Sequence, residues 1–309
     1  MGARHVLVRS LLGACSAIAL VAGLTACMPN EPGPGGTGTP APTTTAGAPA
    51  DPGAPAAPGT TETRTIDAGS GGSAREYALH VPAAMDESPD LVVVLHWWGG
   101  SMEEASAAHG WADASDQRGF LVAFGSGVDH SWNAGGCCGT AKDKQIDDLA
   151  YIDAVIDAVS AEYGVDRVVV AGTSNGAMMA LRYGCETDRD VGLAAVSGSL
   201  FVDCADGRPK DVVMVNGLAD ETVRFDGQPG SSGIDGMPVP DAFATWRSID
   251  GCGEPARTDS PDGQVHTDAA TCADGRRTEL ITIEGAGHQW PYNQYDATEW
   301  IAEFYGLGA

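Results

Sequence analysis

Basic residues are scarce in this chain: 17 Lys and Arg stand against 42 Asp and Glu, for a formal net charge of −25 over 309 residues. Nucleic-acid backbones are bound by releasing counterions to Lys and Arg, so nucleic acid is excluded as a partner. The acidic balance is read instead as a solvated, solubilising surface. Also missing is an apolar run of the about 20 residues that a membrane-crossing helix needs. The run from Leu11 to Gly23, broken only by Ser16, stops short of that. The chain has no Cys-x-x-Cys and no His-x-x-x-His, so no metal and no cofactor are expected. Aromatic residues are absent from Met28 to Thr63, where nine of the 18 prolines lie among Gly, Ala and Thr. Such a stretch buries too little to offset its ordering entropy.

What is present at the N-terminus reads as an export address. Arg4 and Arg9 precede the apolar run, and Leu24-Thr25-Ala26-Cys27 follows it. This ending resembles a bacterial lipobox, so residues 1–26 are expected to be a lipoprotein signal and Cys27 the lipidated first residue of the mature chain. Residues 27–63 then form a tether, and residues 64–309 the folded domain. The Gly-rich strings at 33–38 and 69–72 carry no phosphate-loop Lys-Ser/Thr and are read as linker.

From about residue 64 strands and helices alternate. Leu91-Val92-Val93-Val94-Leu95 is a solid apolar run, the mark of a strand buried on both faces, and Arg75 to Val81, Phe120 to Phe124, Arg167 to Ala171, Leu193 to Val196, Val212 to Val215 and Thr278 to Ile283 are further strands. Helices are expected over 102–118, 146–163, 175–185, 241–249 and 297–305. Strand and helix in turn predict an α/β domain, a mostly parallel central sheet with helices on both faces.

In such a sheet the reactive groups sit beyond the carboxyl ends of the strands. The strand Val168-Val169-Val170 runs into Gly172-Thr173-Ser174-Asn175-Gly176 and then into Ala177-Met178-Met179, the strand-turn-helix setting that G-x-S-x-G requires. Ser174 is the candidate nucleophile. A serine hydroxyl needs an imidazole to take its proton and an acid to fix the imidazole's tautomer. Both follow at later strand ends: Asp220 in Asn216-Gly217-Leu218-Ala219-Asp220, with Glu221 and Asp226 as spare acids, and His288 in Gly285-Ala286-Gly287-His288. An oxyanion hole takes the N–H after the nucleophile, here that of Asn175, and one from an early loop. Leu95-His96-Trp97-Trp98-Gly99-Gly100 is that loop, with Trp98 as donor, or Trp97 if the turn differs by a residue. Trp97, Trp132 and Trp290 are expected to form an apolar wall for substrate.

Several motifs together resemble the secreted poly(3-hydroxybutyrate) depolymerase-like esterases, a family that includes feruloyl and acetyl-xylan esterases. They are Trp132-Asn133-Ala134-Gly135 with Cys137-Cys138-Gly139, Asp147-Asp148, Gly172 to Gly176, Gly217 to Asp220, Trp246 with Cys252, and Gly287-His288-Gln289-Trp290-Pro291. The resemblance spans about residues 75–305. It implies an α/β-hydrolase fold, a Ser174-His288-Asp220 triad and an ester substrate cleaved through an acyl-enzyme. The chain departs from the family at Trp97, where Gly is usual, and at Arg224, where Pro is usual.

With Cys15 in the signal and Cys27 lipidated, Cys137, Cys138, Cys185, Cys204, Cys252 and Cys272 remain, an even number that suits disulfides in an exported protein. Neighbouring cysteines sit poorly for a mutual bridge. Cys137 and Cys138 are therefore expected to reach Cys185 and Cys204, leaving Cys252 with Cys272 to order the approach to the strand that leads to His288.

Two functions compete on these grounds: a serine carboxylic-ester hydrolase outside the cytoplasm, membrane-anchored through Cys27 or secreted, and a surface lipoprotein that keeps the scaffold but only binds a glycan or peptide. The anchor is testable apart from either. Cys27→Ser is expected to move the protein from the membrane fraction into the medium, and unchanged fractionation would show that Cys27 holds nothing.

Overall fold

The computed structural model describes residues 56–68, 74–231, 233–234, 236–291 and 295–309. The expected signal, Cys27, the linker at 69–72 and the tether up to residue 55 lie outside them. Contacts divide the chain into two units, Met1–Ala50 and Asp51–Ala309, and the described residues all belong to the second.

Among the described residues ten strands make one sheet: β1 (Thr60–Asp67), β2 (Ala74–Val81), β3 (Leu91–Leu95), β4 (Leu121–Gly125), β5 (Val168–Thr173), β6 (Gly192–Val196), β7 (Val212–Gly217), β8 (Ala256–Asp259), β9 (Val265–Thr271) and β10 (Arg277–Ile283). Their order is β1-β2-β4-β3-β5-β6-β7-β10-β9-β8. The middle, from β4 to β10, is parallel, and both margins are antiparallel. Among the described residues seven helices accompany them: α1 (Met102–Ala108), α2 (Trp111–Arg118), α3 (Gly139–Asp143), α4 (Asp148–Tyr163), α5 (Asn175–Glu186), α6 (Val239–Ile249) and α7 (Ala297–Tyr305).

The period-two rule of strands shows in how the core divides. Leu91, Val93 and Leu95 pack with Leu193, Met214 and Leu280 against α4, α5 and α6. Val92 and Val94 pack with Val169, Val213 and Ile281 against α1, α2 and α7. Each central strand is apolar throughout because each face meets helices.

The structure corrects the reading from the sequence in several places. The single helix expected over 102–118 is two, broken where Gly110 takes a left-handed φ of 73° as the N-cap of α2. The tether ends earlier than residue 63: Thr60, Thr61, Thr63 and Thr65 stand in β1, where β-branched residues are favoured, paired along its length with β2. The segment between Cys252 and Cys272, where no strand was expected, belongs to the sheet. It holds β8 and β9, which extend the sheet beyond β10 by backbone pairing, and β8 is exposed at every residue, so no apolar pattern announced it.

The cysteine pairing is corrected as well. Cys185, at the end of α5, bonds Cys204, with α-carbons 5.1 Å apart, inside the usual disulfide range. That pairing removes both expected partners, and Cys137 and Cys138 are bonded to each other across a cis peptide. Cys252 and Cys272 pair as expected.

The position of that last bridge changes what it should do. Cys272 follows Thr271, which pairs with Arg277 at the start of β10, whereas His288 lies past the other end of that strand. β10 is also held along its other edge by β7. A bridge between residues 20 apart is worth about 3 kcal/mol in the chain-entropy model. The Cys252→Ser, Cys272→Ser variant should therefore melt at a lower temperature by calorimetry while keeping its activity at 25 °C, with activity lost on heating only as the fold is lost. Loss of activity well below the melting transition would show that the bridge does control the His288 loop.

Candidate active site

Ser174 sits in the turn between β5 and α5 at φ 55°, ψ −117°, a conformation that non-glycine residues rarely adopt. The turn holds because its neighbours take up no room. A methyl group on Gly176 would collide with the carbonyl oxygen of Leu95, and one on Gly172 with the backbone of Gly176. The Ser174 N–H donates to the carbonyl of Val196 at 2.9 Å, fixing the turn to the end of β6.

Two later loops converge on the Ser174 hydroxyl. His288 Nε2 lies 2.8 Å from Ser174 Oγ, and His288 Nδ1 lies 2.7 Å from Asp220 Oδ2. Asp220 is buried, and its other oxygen accepts from the N–H groups of Thr222 at 2.8 Å and Val223 at 2.9 Å. A carboxylate so placed can only accept, so Nδ1 of His288 carries the proton and Nε2 offers its lone pair to the serine. The two loops also bind each other, since Leu218 N–H donates to Ile283 and Ala219 N–H to Ala286. The spare acids are elsewhere engaged or exposed: Asp226 pairs with Arg224, which holds its carboxyl well below the usual range, and Glu221 is exposed.

The expected oxyanion loop is tied to Asn175, the residue after Ser174, through a chain of hydrogen bonds. Asn175 heads α5, where backbone N–H groups have no partner within the helix. Its side chain is locked on Trp132, accepting from the backbone N–H at 2.7 Å and donating to the carbonyl at 3.0 Å. Trp132 Nε1 donates to the carbonyl of His96 at 2.9 Å. The His96 ring accepts from Gly127 N–H at Nε2, so its proton is on Nδ1 and is donated to the carbonyl of Trp97 at 2.8 Å. Burial lowers the His96 pKa, which keeps the ring in this neutral form. Below, Asp148 accepts from Asn133 N–H at 2.7 Å and from Arg75 at 2.8 Å, and Arg75 lies 3.6 Å from the centre of the Tyr151 ring. Of the Asp147-Asp148 pair, Asp147 caps α4 and Asp148 anchors the Trp132–Asn133 turn.

A cleft of about 460 Å³ opens over Ser174 and His288. Trp97 and Trp290 line it, and Trp98 stands at its rim, 52% exposed. Trp132 does not line it. Its ring is fully buried, held by the His96 carbonyl, the Tyr151 ring and Arg75, so the expected substrate contact there is replaced by a supporting role. The wall also contains residues the sequence reading passed over: His109, Cys138, Thr222 and Ile234. His109 belongs to no motif and is visible only as the residue before the helix-breaking Gly110. It stacks on Trp290 with ring centres 4.1 Å apart and 16° between planes.

Burial pushes the His109 pKa down to about 3. The unfolded chain binds a proton there near the ordinary value of about 6.5. Between those values the unfolded state holds more protons, so stability rises with pH and falls as pH drops below about 6.5, at up to about 1.4 kcal/mol per pH unit. His109→Gln should flatten that acid slope in denaturant titrations from pH 7 to 4. An unchanged slope would mean that His109 is protonated in the fold.

No family model matches the chain. It is 32% identical over 246 residues to the putative esterase NocK of Nocardia uniformis subsp. tsuyamanensis, covering 71% of this chain and 72% of that protein. It is 27% identical over 233 residues to probable feruloyl esterase C of Aspergillus terreus, covering 70% and 77%. Among solved structures, the acetyl xylan esterase from Aspergillus awamori superposes with a TM-score of 0.58 at 16% identity, over 80% of this chain and all of that one, a likeness of fold. The reading as a scaffold that only binds is thereby set aside. An α/β-hydrolase sheet of this order and a sequence match running through most of both proteins place the chain in the esterase family of NocK, as a carboxylic ester hydrolase.

Proposed function

We propose that the protein is a serine esterase acting outside the cytoplasm on esters of the feruloyl or acetyl-carbohydrate kind, with Ser174, His288 and Asp220 as its catalytic triad. The observation that carries this reading is the unbroken hydrogen-bonded chain Ser174 Oγ, His288, Asp220 at the mouth of an aromatic cleft. In the first half-reaction His288 Nε2 takes the Ser174 proton as Oγ bonds the ester carbonyl carbon. The carbonyl oxygen becomes an oxyanion, received by the backbone N–H groups of Asn175 and Trp98. The carbonyl re-forms, the alcohol leaves with the proton from His288, and an acyl-serine remains. Water then attacks the acyl group with His288 as base, and Ser174 is released with the acid. Asp220 stays ionised throughout and stabilises the imidazolium.

The names of the relatives support an aryl or acetyl ester of a carbohydrate ahead of a polyester oligomer. The site outside the cytoplasm, and the lipid anchor at Cys27, rest on the N-terminal sequence and on the six cysteines of the domain, all engaged in bridges. Among the described residues no helix is long and apolar enough to cross a membrane.

Hydrolysis of methyl ferulate, acetylated xylan and hydroxybutyrate oligomers tests both chemistry and substrate. Ser174→Ala should lower kcat by about 10⁶ and Asp220→Asn by about 10⁴, each with an unaltered circular dichroism spectrum. Near-wild-type turnover in the Ser174 variant would end the mechanism, and a preference for the hydroxybutyrate oligomers would end the substrate assignment.

A further inference from the structure

Apart from the cleft over Ser174, an open groove of about 700 Å³ lies along α7, within the size range of ligand sites, about 300–1,000 Å³. Its floor is the margin of the sheet formed by β8, β9 and β10. Ile281 of β10 pairs with Thr267 of β9, which pairs with Thr258 of β8, so the three side chains stand in one row on the same face. Helix α6 covers the opposite face of β10 through Leu280, and the groove is bounded on the near side by Trp300 and Phe304 of α7 with Tyr295. Tyr295 and Trp300 have ring centres 6.3 Å apart and planes inclined by 33°, a bent aromatic wall. Opposite stands the turn between β8 and β9 with Asp259 and Asp262, while Glu279 and Glu303 flank the floor.

We infer that this groove binds an uncharged polysaccharide chain, with sugar ring faces on Trp300 and Tyr295 and hydroxyls on the surrounding carboxylates and threonines. The choice of occupant follows from the lining. A lipid chain would leave four carboxylates facing apolar surface, which is costly. A polyanion meets that same excess of negative charge. A bound cation needs oxygens that converge, and among the described residues the only acid and sulfur atoms close enough to share an ion are Asp250, Cys252 and Cys272, outside the groove and with both sulfurs in a disulfide. A basic peptide would find Asp259 already engaged by His266 and Arg257, Asp262 by the Ser260 hydroxyl and the Gln264 N–H, and the guanidinium of Arg277 in the groove, 4.3 Å from the Phe304 ring centre. Sugar hydroxyls both donate and accept, so they suit a surface that offers Arg277 and threonine hydroxyls as donors beside carboxylates as acceptors.

The groove extends the proposed function, on which its biological sense rests: it would hold the polymer that bears the ester. The loop leaving β10 brings His288 to the cleft and Tyr295 to the groove, and a chain of that length spans about 25 Å at most. One polysaccharide strand can therefore reach both.

The test uses unesterified xylan, which offers the cleft no bond to cleave. The full-length protein should be retarded in native gels containing it. Trp300→Ala should weaken that binding about tenfold, about 1.4 kcal/mol, and Glu279→Gln in the same direction by less. Hydrolysis of p-nitrophenyl acetate should be unchanged in both variants, which also reports that they are folded. Retention of wild type with ester hydrolysis absent would keep the groove and overturn the esterase mechanism. Ester hydrolysis without retention overturns the groove. So do retention equal to wild type in both variants, tighter binding of a Lys-rich peptide than of xylan, or a dimer that Trp300→Ala converts to monomer.

Discussion

The turn at Ser174 is the constraint on which the rest of the site depends. A side-chain-bearing residue is held at positive φ, which costs of order 1–3 kcal/mol and persists only where the surroundings over-determine it. Here the surroundings are β3 on one side and β6 on the other. Gly176 lets helix α5 press against the carbonyls of Leu95 and His96, and Val196 takes the Ser174 N–H. The same contact that strains the serine brings the N-terminus of α5 against the end of β3, and so sets Ser174 beside the loop that begins at His96. One close approach of backbones thus serves two parts of the proposed reaction.

Neutrality of buried imidazoles is the second theme. His96 acts as a clamp only while one nitrogen accepts and the other donates, because protonation would set an N–H against that of Gly127. Burial keeps it neutral. His109, stacked on Trp290, is neutral for the same reason, so it puts no cation in the cleft wall beside Ser174. The charge that develops during the proposed reaction, on His288 and on the substrate oxygen, is met by Asp220 and by backbone N–H groups, which the Ser174 turn and the His96 loop already hold in place. Preorganised dipoles of this kind do not have to reorganise as the charge appears.

Where sequence reading succeeded, strong local chemistry was the reason. The solid valine runs of β3 and β5 can be little else than strands buried on both faces, and Gly172 to Gly176 is interpretable because a strand precedes it and a helix comes after. That Asp220 and His288 would converge on Ser174 was legible from chain order and from their places after β7 and β10. What stayed hidden lacked an apolar signature or depended on distant partners. β8 and β9 exist through ladder pairing with β10, and a strand exposed on every residue has no periodic pattern to read. Trp132 resembled a cleft residue because it comes after a strand end, but its indole finds the His96 carbonyl 36 positions away, a contact that spacing cannot reveal. The bond between Cys137 and Cys138 was missed because ordinary disulfide geometry was applied to neighbours, when the match between α5 and the Cys204 loop had already taken the other two sulfurs.

The substitution of Trp97 for the glycine usual in the resembling family bears on how far such a loop can vary. A bulky residue at that point has to place its ring without displacing the backbone that carries the Trp98 N–H, the proposed oxyanion donor. Gly100 provides the space: a methyl group there would meet the Trp97 indole at 2.7 Å, so the ring folds back over a position that has no side chain. The loop closes on itself through the Gly100 N–H to the Trp97 carbonyl, at 3.0 Å, and is fastened to the neighbouring loop by Gly99 N–H to His130 and by His130 Nδ1 to Gly100. With its backbone held at these points, the exchanged side chain alters the wall of the cleft, where Trp97 meets the ring of His109 at 5.6 Å between centres. Arg224, the other departure, is exposed and occupied with Asp226, away from that wall. The difference from the family therefore falls on the surface that a substrate's acyl or alcohol group would touch, while the hydrogen-bonded frame beneath it does not need the missing glycine.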